Sequence, residues 1–543
     1  MDELPHERLA TFTERLRARP EFRFLTELTS EFPGSETYLV GGIVRDILLG
    51  RDAKDIDLII RNVPAKQLHD FLSTLGTVNL VGRTFGVLKF RPTGWPEGAE
   101  DLDIALPRTE HADGTGGYRD FEVQADPALP VEDDLARRDF TMNAMAWDLH
   151  RGALVDPFHG QEDLTARIIR AVRSPQERFA EDRSRMLRGL RFAAQLGCTI
   201  EPSTMKAIRV AMPSINEVRP LKGQKKRPAR RGHAYTSPLP ELEGMEYVTP
   251  RETIAKELIK SFLADPVGAL DLWDESGAIH ELLPELEAMK GCAQPEAFHS
   301  EGDVWMHTRK ALAKLRSPEF RAEFGDIPLT ALDVLGVLLH DVAKPPTQRT
   351  PASDGTDRIR FDGHDTMGGA MAHAIARRLA FSSPFPKGDP RHIDPEDLGW
   401  IIDHHLLLLG NPMIMRNATL ERYFFHPDRP GDALQHVTFC DGSATIPQGQ
   451  TTADLAYFRA LRVRITELSA LIAERDRLPR AVLDGNRVMQ AFSLRPGPHI
   501  KVLLEDLREE QLRMLTTEHR DMTEEEAVAF LQPRIPPAPT SAT

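Results

Sequence analysis

Cysteine is scarce in this chain. Its 543 residues hold three, Cys198, Cys292 and Cys440, far apart and with no CxxC pair. That excludes a disulfide framework and fits a reducing cytosol. Apolar runs of membrane-spanning length are missing, which excludes a transmembrane helix. The first residues, MDELPHERLA, lack the features of a secretory signal peptide, so the cytoplasm is the expected location. Positive charge is also short. Lys and Arg number 68 against 82 Asp and Glu, for a net charge of −14. A uniformly basic coat for nucleic acid is excluded, and any RNA contact must be a local patch. The remainder is an ordinary globular composition, 28% charged and 41% hydrophobic. The chain is long enough for about three or four domains with sizeable cores.

What is present centres on Tyr38–Ile60, YLVGGIVRDILLGRDAKDIDLII. Tyr38–Val40 reads as a strand and Gly41-Gly42 as a turn. Ile43, Val44, Ile47, Leu48 and Leu49 recur at helical spacing until Gly50 ends the helix. Asp55-Ile56-Asp57 alternates and then runs apolar, as a half-buried strand does. Residues i and i+2 of a strand share a face, so Asp55 and Asp57 project together. Two such carboxylates repel unless a cation lies between them, and oxygen ligands of this kind suit Mg²⁺ shared with substrate phosphates. The glycine turn offers bare backbone N–H groups to a triphosphate, and Arg45 can add a charged clamp. Alone, a GG pair or a DxD is common. In the order GG-x-x-R-D then D-x-D they point to phosphoryl or nucleotidyl transfer.

These motifs resemble the class II tRNA nucleotidyltransferase and bacterial poly(A) polymerase family. The resemblance implies that the GGxVRD turn (Gly41, Gly42, Arg45) and the DxD strand (Asp55, Asp57) hold the triphosphate and the metals. Further along, Pro64–Leu75 reads as a helix, and Val78–Val81, Phe85–Arg91 and Leu102–Ala105 as strands. Asp103 is the candidate third metal carboxylate. Residues 110–130 are polar and Gly-rich, a mobile loop by composition. The segment RRDFTMNAMA beginning at Arg137 is close to the family's RRD element, which implies that Arg138 and Asp139 touch the nucleotide. Asp156-Pro-Phe-His-Gly160 matches its DxxxG hinge.

Residues 161–212 read as helical. In Glu181-Asp-Arg-Ser-Arg185, continuing to Arg191-Phe192, the charged residues Asp182, Arg185, Arg188 and Arg191 step by three, while Met186, Leu187, Leu190 and Phe192 form a buried face. A carboxylate beside a guanidinium presents an acceptor and fixed donors to a base edge. Similarity to the family's EDxxR helix implies that Asp182 and Arg185 template the incoming base, with Arg188 and Arg191 as further nucleotide contacts. Next, Arg219–His233 (RPLKGQKKRPARRGH) is strongly basic and broken by Pro and Gly. It reads as an inserted extended loop, either a solvated linker or a local RNA-backbone patch.

A second set of residues lies further on. His307, His340-Asp341, His364, His404-His405 and Asp441 are spread over residues 300–445, with His340-Asp341 closing an apolar helix from Leu332. His and Asp in series suit a borderline metal, and a metal-activated water would hydrolyse a phosphoester. The pattern resembles the HD phosphohydrolase superfamily. That implies His307, His340, Asp341 and Asp441 as ligands, His364 and His404 as additional ones, Lys344 completing HDxxK, and Mn²⁺, Ni²⁺, Fe²⁺ or Zn²⁺ as the ion.

The expected fold is α+β, a small nucleotidyltransferase head of mixed β-sheet and helices followed by an all-α neck, body and HD domain. The expected boundaries are a helical lead-in at 1–35, the head at 36–160, the neck at 161–218 and the insertion at 219–250. The body follows at 251–298, the HD domain at 299–445, a helical region at 446–531 and a disordered tail at 532–543. Three functions compete. One is addition of C and A from CTP and ATP to a tRNA 3′ end, with Mg²⁺. Another is poly(A) addition to RNA 3′ ends. The third is an HD phosphohydrolase or nucleotide sensor with a silent head. The EDxxR helix favours the first, and intact Asp55 and Asp57 speak against the third. The expected partners are RNA, ATP and CTP, with no membrane. The oligomeric state is open.

Overall fold

The computed structural model describes residues 5–52, 55–81, 87–112, 117, 121–220, 244–409, 415–477, 481–518 and 520–535. Contacts divide the chain into two units, residues 1–407 with 432–454, and residues 408–431 with 455–543.

The first unit opens with helices α1 (Pro5–Ala18) and α2 (Phe24–Glu31), then β1 (Glu36–Val40), α3 (Gly42–Leu48), β2 (Asp57–Arg61) and α4 (Ala65–Ser73). Strands β3 (Gly76–Val81), β4 (Val87–Pro92), β5 (Leu102–Ala105), β6 (Arg108–Ala112) and β7 (Phe121–Ala125) follow. Helix α5 (Val131–Ala136), strands β8 (Ala146–Asp148) and β9 (Ala153–Val155), and helices α6 (Gly160–Thr165), α7 (Pro175–Glu181) and α8 (Ser184–Leu196) complete the head and begin the neck. Seven strands form one sheet in the order β3-β4-β5-β2-β1-β8-β9. The β2–β5 pair is parallel and its other pairs are antiparallel, so the sheet is mixed, as expected.

Strand alternation sorts the residues onto two faces. Leu39, Leu58, Ile60, Phe90, Leu102 and Ile104 belong to a large core with residues of α1 to α4. Tyr38, Val40 and Ile59 pack on the other face with Val131 and Leu135 of α5. Asp57 is two residues from Ile59 and therefore lies on that second face. The register places Asp57 opposite Asp103, and Asp103 opposite Lys89. The residues between 110 and 130 differ from the mobile loop that composition suggests. β6 and β7 pair there as an antiparallel ribbon. Alternation such as Phe121-Glu-Val-Gln-Ala125 supplies the strand, and Gly and Asp are gathered in the residues between.

The neck is helical except for a short parallel pairing of Ile168–Ile169 with Thr199–Ile200. Most of the basic insertion, residues 221–243, lies outside the described residues; Val218–Pro220 and Met245–Tyr247 pair beside it. Helices Arg251–Ala264, Pro266–Glu275, Ala278–Leu282 and Pro284–Glu287 follow, broken at Gly277 and Pro284 as the pattern predicts. Helices Val304–Lys314, Ala331–Leu339, His364–Arg378, Pro395–His404 and Gly431–Ala444 then carry the second set of candidate residues. In the second unit, Gly485–Phe492, Pro498–Thr517 and Glu524–Leu531 share a small core of Val488, Leu503, Leu507, Met514, Ala527 and Leu531.

At the DxxxG element, Asp156 accepts from the backbone N–H groups of Gly160 (2.7 Å) and Gln161 (2.9 Å), capping α6. A Cβ on Gly160 would stand 2.2 Å from the Thr141 carbonyl oxygen, which is backbone and has little freedom to move. Asp156→Ala is therefore expected to lose about 1 kcal/mol, the worth of a cap. Gly160→Ala is expected to lose more, because it pushes α6 off the turn that follows Asp139. Urea titration of both variants checks the order; equal losses would contradict it.

Candidate active site

Asp57, on β2, is half-buried, Asp103 lies beside it on β5, and Asp55 is exposed just before β2. Burial raises the Asp57 carboxyl to about 6, Arg138 opposes the rise, and the charges of Asp103 and Asp55 add to it. An array of acids this short of positive charge gains from a divalent cation. Lys89 offsets part of the deficit through an ion pair with Asp103 at 3.0 Å. Only strand register, which pairs Lys89 of β4 with Asp103, brings this lysine to the acids.

The glycine turn adjoins these acids. Gly41 has φ +76, in the left-handed region that favours glycine, and a Cβ there would stand 2.5 Å from Nη1 of Arg138. Arg138 thus lies against the turn. Fully buried Asp134 holds both Arg137 (2.7 Å) and Arg138 (3.3 Å). Gly42 leads α3.

Arg45 also lies against the turn, its Nη2 3.6 Å from where a Cβ on Gly42 would stand. Its side chain is buried; Nη1 donates to Asn143 (2.7 Å), and Nε and Nη2 donate to Asp46 (2.9 and 3.0 Å). The Asn143 amide donates in turn to Asp139 (3.1 Å), and Arg188 of α8 donates to the other Asp139 oxygen (2.8 Å). A continuous chain, Arg45–Asn143–Asp139–Arg188, buried except at Arg188, therefore links the glycine turn to the neck. Burial alone would raise Asp139, but the charge of Arg188 and the Asn143 amide outweigh it, and it sits at about 2.

Asp182 occupies the junction of α7 and α8, accepting from Ser184 N–H (2.9 Å) and Oγ (2.6 Å). Burial raises its carboxyl against these bonds. Arg185 lies 3.9 Å away and donates to Glu181 at 3.0 Å, so the proposed base-reading pair is side by side. Arg191 is a correction. It donates to Glu257 and to Gln195 and lies 3.9 Å over Phe192, tying α8 to the Arg251–Ala264 helix. Within α8 the two steps of three from Arg185 to Arg191 each fall 60° short of a full turn, which carries Arg191 about 120° round the helix from Arg185.

The second cluster is assembled by helix ends. His340, His364 and His405 direct Nδ1 to the carbonyls of Val337 (2.8 Å), Phe361 (2.8 Å) and Ile402 (2.6 Å). A carbonyl only accepts, so each Nδ1 carries the proton and each Nε2 is left bare. The Nε2 atoms of His307 and His340 face each other at 3.3 Å, and His307 Nε2 is 3.0 Å from Asp441. Asp341 lies 3.5 Å from His364 Nε2 and 3.9 Å from His405 Nε2. Both of those nitrogens are buried without a hydrogen-bond partner. Lys344 pairs with Asp341 at 2.8 Å. Burial holds His405 down at about 4. Among the described residues three groups, His307/His340/Asp441, Asp341/His364/His405 and His299/Glu301/His307, have ligand atoms close enough to bind metal. Buried lone pairs aimed at one another are unfavourable without a cation, and this donor set fits a divalent transition metal.

His404 is a second correction. Its Nδ1 bonds to the Trp400 carbonyl (2.7 Å) and its ring stacks on Trp400, while its neighbour His405 enters the cluster. Adjacent helical residues point about 100° apart, so only one of the pair can face inward. The buried stripe Leu398, Ile401, Ile402 selects position 405 by its i, i+3, i+4, i+7 spacing, a signal legible in the sequence.

Comparison with known proteins follows the same lines. The family model described as "Poly A polymerase head domain" matches residues 37–170. The multifunctional CCA protein of Alkalilimnicola ehrlichii is 35% identical over 350 residues, covering 63% of this chain and 70% of that one. That of Neisseria gonorrhoeae is 33% identical over 347 residues, covering 63% and 69%. This chain belongs to the multifunctional CCA protein family. The Thermotoga maritima CCA-adding enzyme, solved with tRNA, shares the fold at a TM-score of 0.51 and 18% identity, over 96% of this chain and 98% of that one.

For this family member, Asp139→Asn is expected to cost about 2 kcal/mol at pH 7, the equivalent of its depressed pKa. A lowered carboxyl contributes stability above its unfolded value near 4 and loses it as pH falls toward about 2. The gap between variant and parent in urea titrations should therefore be constant above pH 5 and narrow below pH 4. A gap that widens on acidification would contradict the assignment.

Proposed function

We propose that the protein adds C and A from CTP and ATP to the 3′ end of tRNA by nucleotidyl transfer at the β2–β5 carboxylates. The observation that carries this is the gathering of Asp55, Asp57 and Asp103 beside a glycine turn covered by Arg138. These three acids are the residues that would hold Mg²⁺, which when bound offsets phosphate charge and acidifies the attacking 3′-hydroxyl. Gly41 and Gly42 let the triphosphate approach the backbone, because no Cβ stands in the way. Arg138 places a guanidinium beside it. Asp182 and Arg185 present an acceptor and donors to the base edge, and Asp139 with Arg188 keeps that pair at a fixed height over the turn. The names of the curated relatives favour CCA addition over poly(A) addition, and the complete carboxylate set speaks against a silent head. Among the described residues no helix is long and apolar enough to cross a membrane.

The test is incubation with tRNA lacking its 3′ end and each labelled nucleotide. Incorporation of both C and A is expected; runs of A alone or no incorporation would overturn the reading. Asp57→Asn should slow incorporation by about a hundredfold or more.

The second cluster supports a further activity in the same chain, an HD-type phosphohydrolase over residues 299–445. His307, His340, Asp341, His364, His405 and Asp441 would hold Mn²⁺, Ni²⁺, Fe²⁺ or Zn²⁺, which supplies an activated water for phosphoester hydrolysis. Lys344, buried against Asp341, brings a positive charge to a substrate phosphate. His340→Ala should abolish divalent-metal-dependent hydrolysis of a nucleoside phosphoester while C and A incorporation persists. Hydrolysis at the parent rate would remove the cluster from the reaction.

A further inference from the structure

Three of the inward-facing cluster histidines rest their Nδ1 on neutral backbone carbonyls. His307 does not. Its Nδ1 donates to Oε1 of Glu301 at 2.8 Å, and the same oxygen accepts from Nδ1 of His299 at 2.7 Å. The other oxygen, Oε2, accepts from the backbone N–H of Ile446 at 3.0 Å. The Glu301 side chain is wholly buried, and so is that of His307. Three N–H donors on two oxygens match an ionised, acceptor-only carboxylate.

Two consequences follow. First, a carboxylate on Nδ1 fixes the proton there, leaves Nε2 bare toward Asp441 and His340, and raises the basicity of that nitrogen. Second, the same carboxylate grips the chain just past the Gly431–Ala444 helix, which carries Asp441. Ser300 reinforces the grip, its N–H and Oγ both donating to the Ile446 carbonyl at 2.9 Å. Glu301 thus spans the elements that deliver two ligands 134 residues apart in sequence.

We propose that Glu301 is a positioning residue for the metal cluster, orienting His307 and tying its helix to the segment that follows Asp441, with His299 holding the outer side of the same carboxylate. This rests on reading the His/Asp cluster as a divalent-metal site. Glu301 would not touch an ion held by the converging Nε2 atoms, since both its oxygens already accept N–H groups and it meets His307 at Nδ1, across the ring from Nε2.

The experiment is Mn²⁺ binding, counted by electron paramagnetic resonance, to the full chain carrying Asp55→Asn and Asp57→Asn so that the head carboxylates do not compete. The cluster's share is the binding that Asp441→Asn removes. Adding Glu301→Ala should weaken that share by about 10- to 100-fold. Glu301→Gln, which keeps the volume and both imidazole bonds at its carbonyl but turns an NH2 donor toward the Ile446 N–H, should fall between, and His299→Ala should weaken it least. The Nδ1–H resonance of His307 in ¹⁵N NMR of the metal-free protein should be protected from exchange in the parent and lost in Glu301→Ala. If Glu301→Ala does not fold, Glu301→Gln decides by the same readings. Parent-like Mn²⁺ affinity in the Glu301 variants would overturn the positioning role and leave the metal site standing. Absence of any Asp441-dependent binding in the parent would overturn both.

Discussion

The head and the neck meet on one buried carboxylate. Asp139 follows the two arginines of the RRD turn and takes Arg188 from α8 on one oxygen and Asn143 on the other; Asn143 in turn takes Arg45 from the helix after the glycine turn. A carboxylate in this position is expensive unless its partners are all present. With them present it is held strongly ionised and becomes a rigid joint. The proposed base-reading pair, Asp182 and Arg185, sits at the foot of α8, so its height over the glycine turn would depend on this joint. Fixed geometry between phosphate cradle and base reader is what lets a protein choose a nucleotide with no nucleic-acid template.

The second cluster uses the opposite economy. Its side chains come from five helices or the residues just past their ends, and the individual imidazoles are steered by hydrogen bonds at Nδ1 to carbonyls at helix ends, or to Glu301. The result is a set of bare nitrogens and carboxylate oxygens turned toward one another. In the head the acids come from adjacent strands whose register alone places them together. Strand pairing suits close, parallel carboxylates that share ions with a substrate. Helix ends suit a fuller ligand shell.

Much of this was legible in the sequence because it is local. The strand–turn–helix–strand order of 36–61 and the His-Asp closing an apolar helix follow from period and punctuation, whereas the strand expected to hold both Asp55 and Asp57 begins only at Asp57. What was not legible depends on partners far along the chain. Arg45 and Arg191 look like free cations in a motif, yet Asn143 is 98 residues from the first and Glu257 is 66 from the second. Asp103 was recognised but Lys89 was not, since their meeting is set by strand register. The ribbon at 108–125 was hidden by a composition that reads as loop. His405 is the instructive case, because the apolar stripe of its own helix names it, and the adjacent His404 drew attention instead.

The central claim is that nucleotide choice is held in place by the Asp139 joint. The most direct measurement is the misincorporation frequency of the Arg188→Met variant, read by sequencing the 3′ ends of tRNA extended with all four nucleotides. The account predicts that U and G enter more often than in the parent while extension still requires Asp57. Parent-level fidelity in Arg188→Met would contradict it.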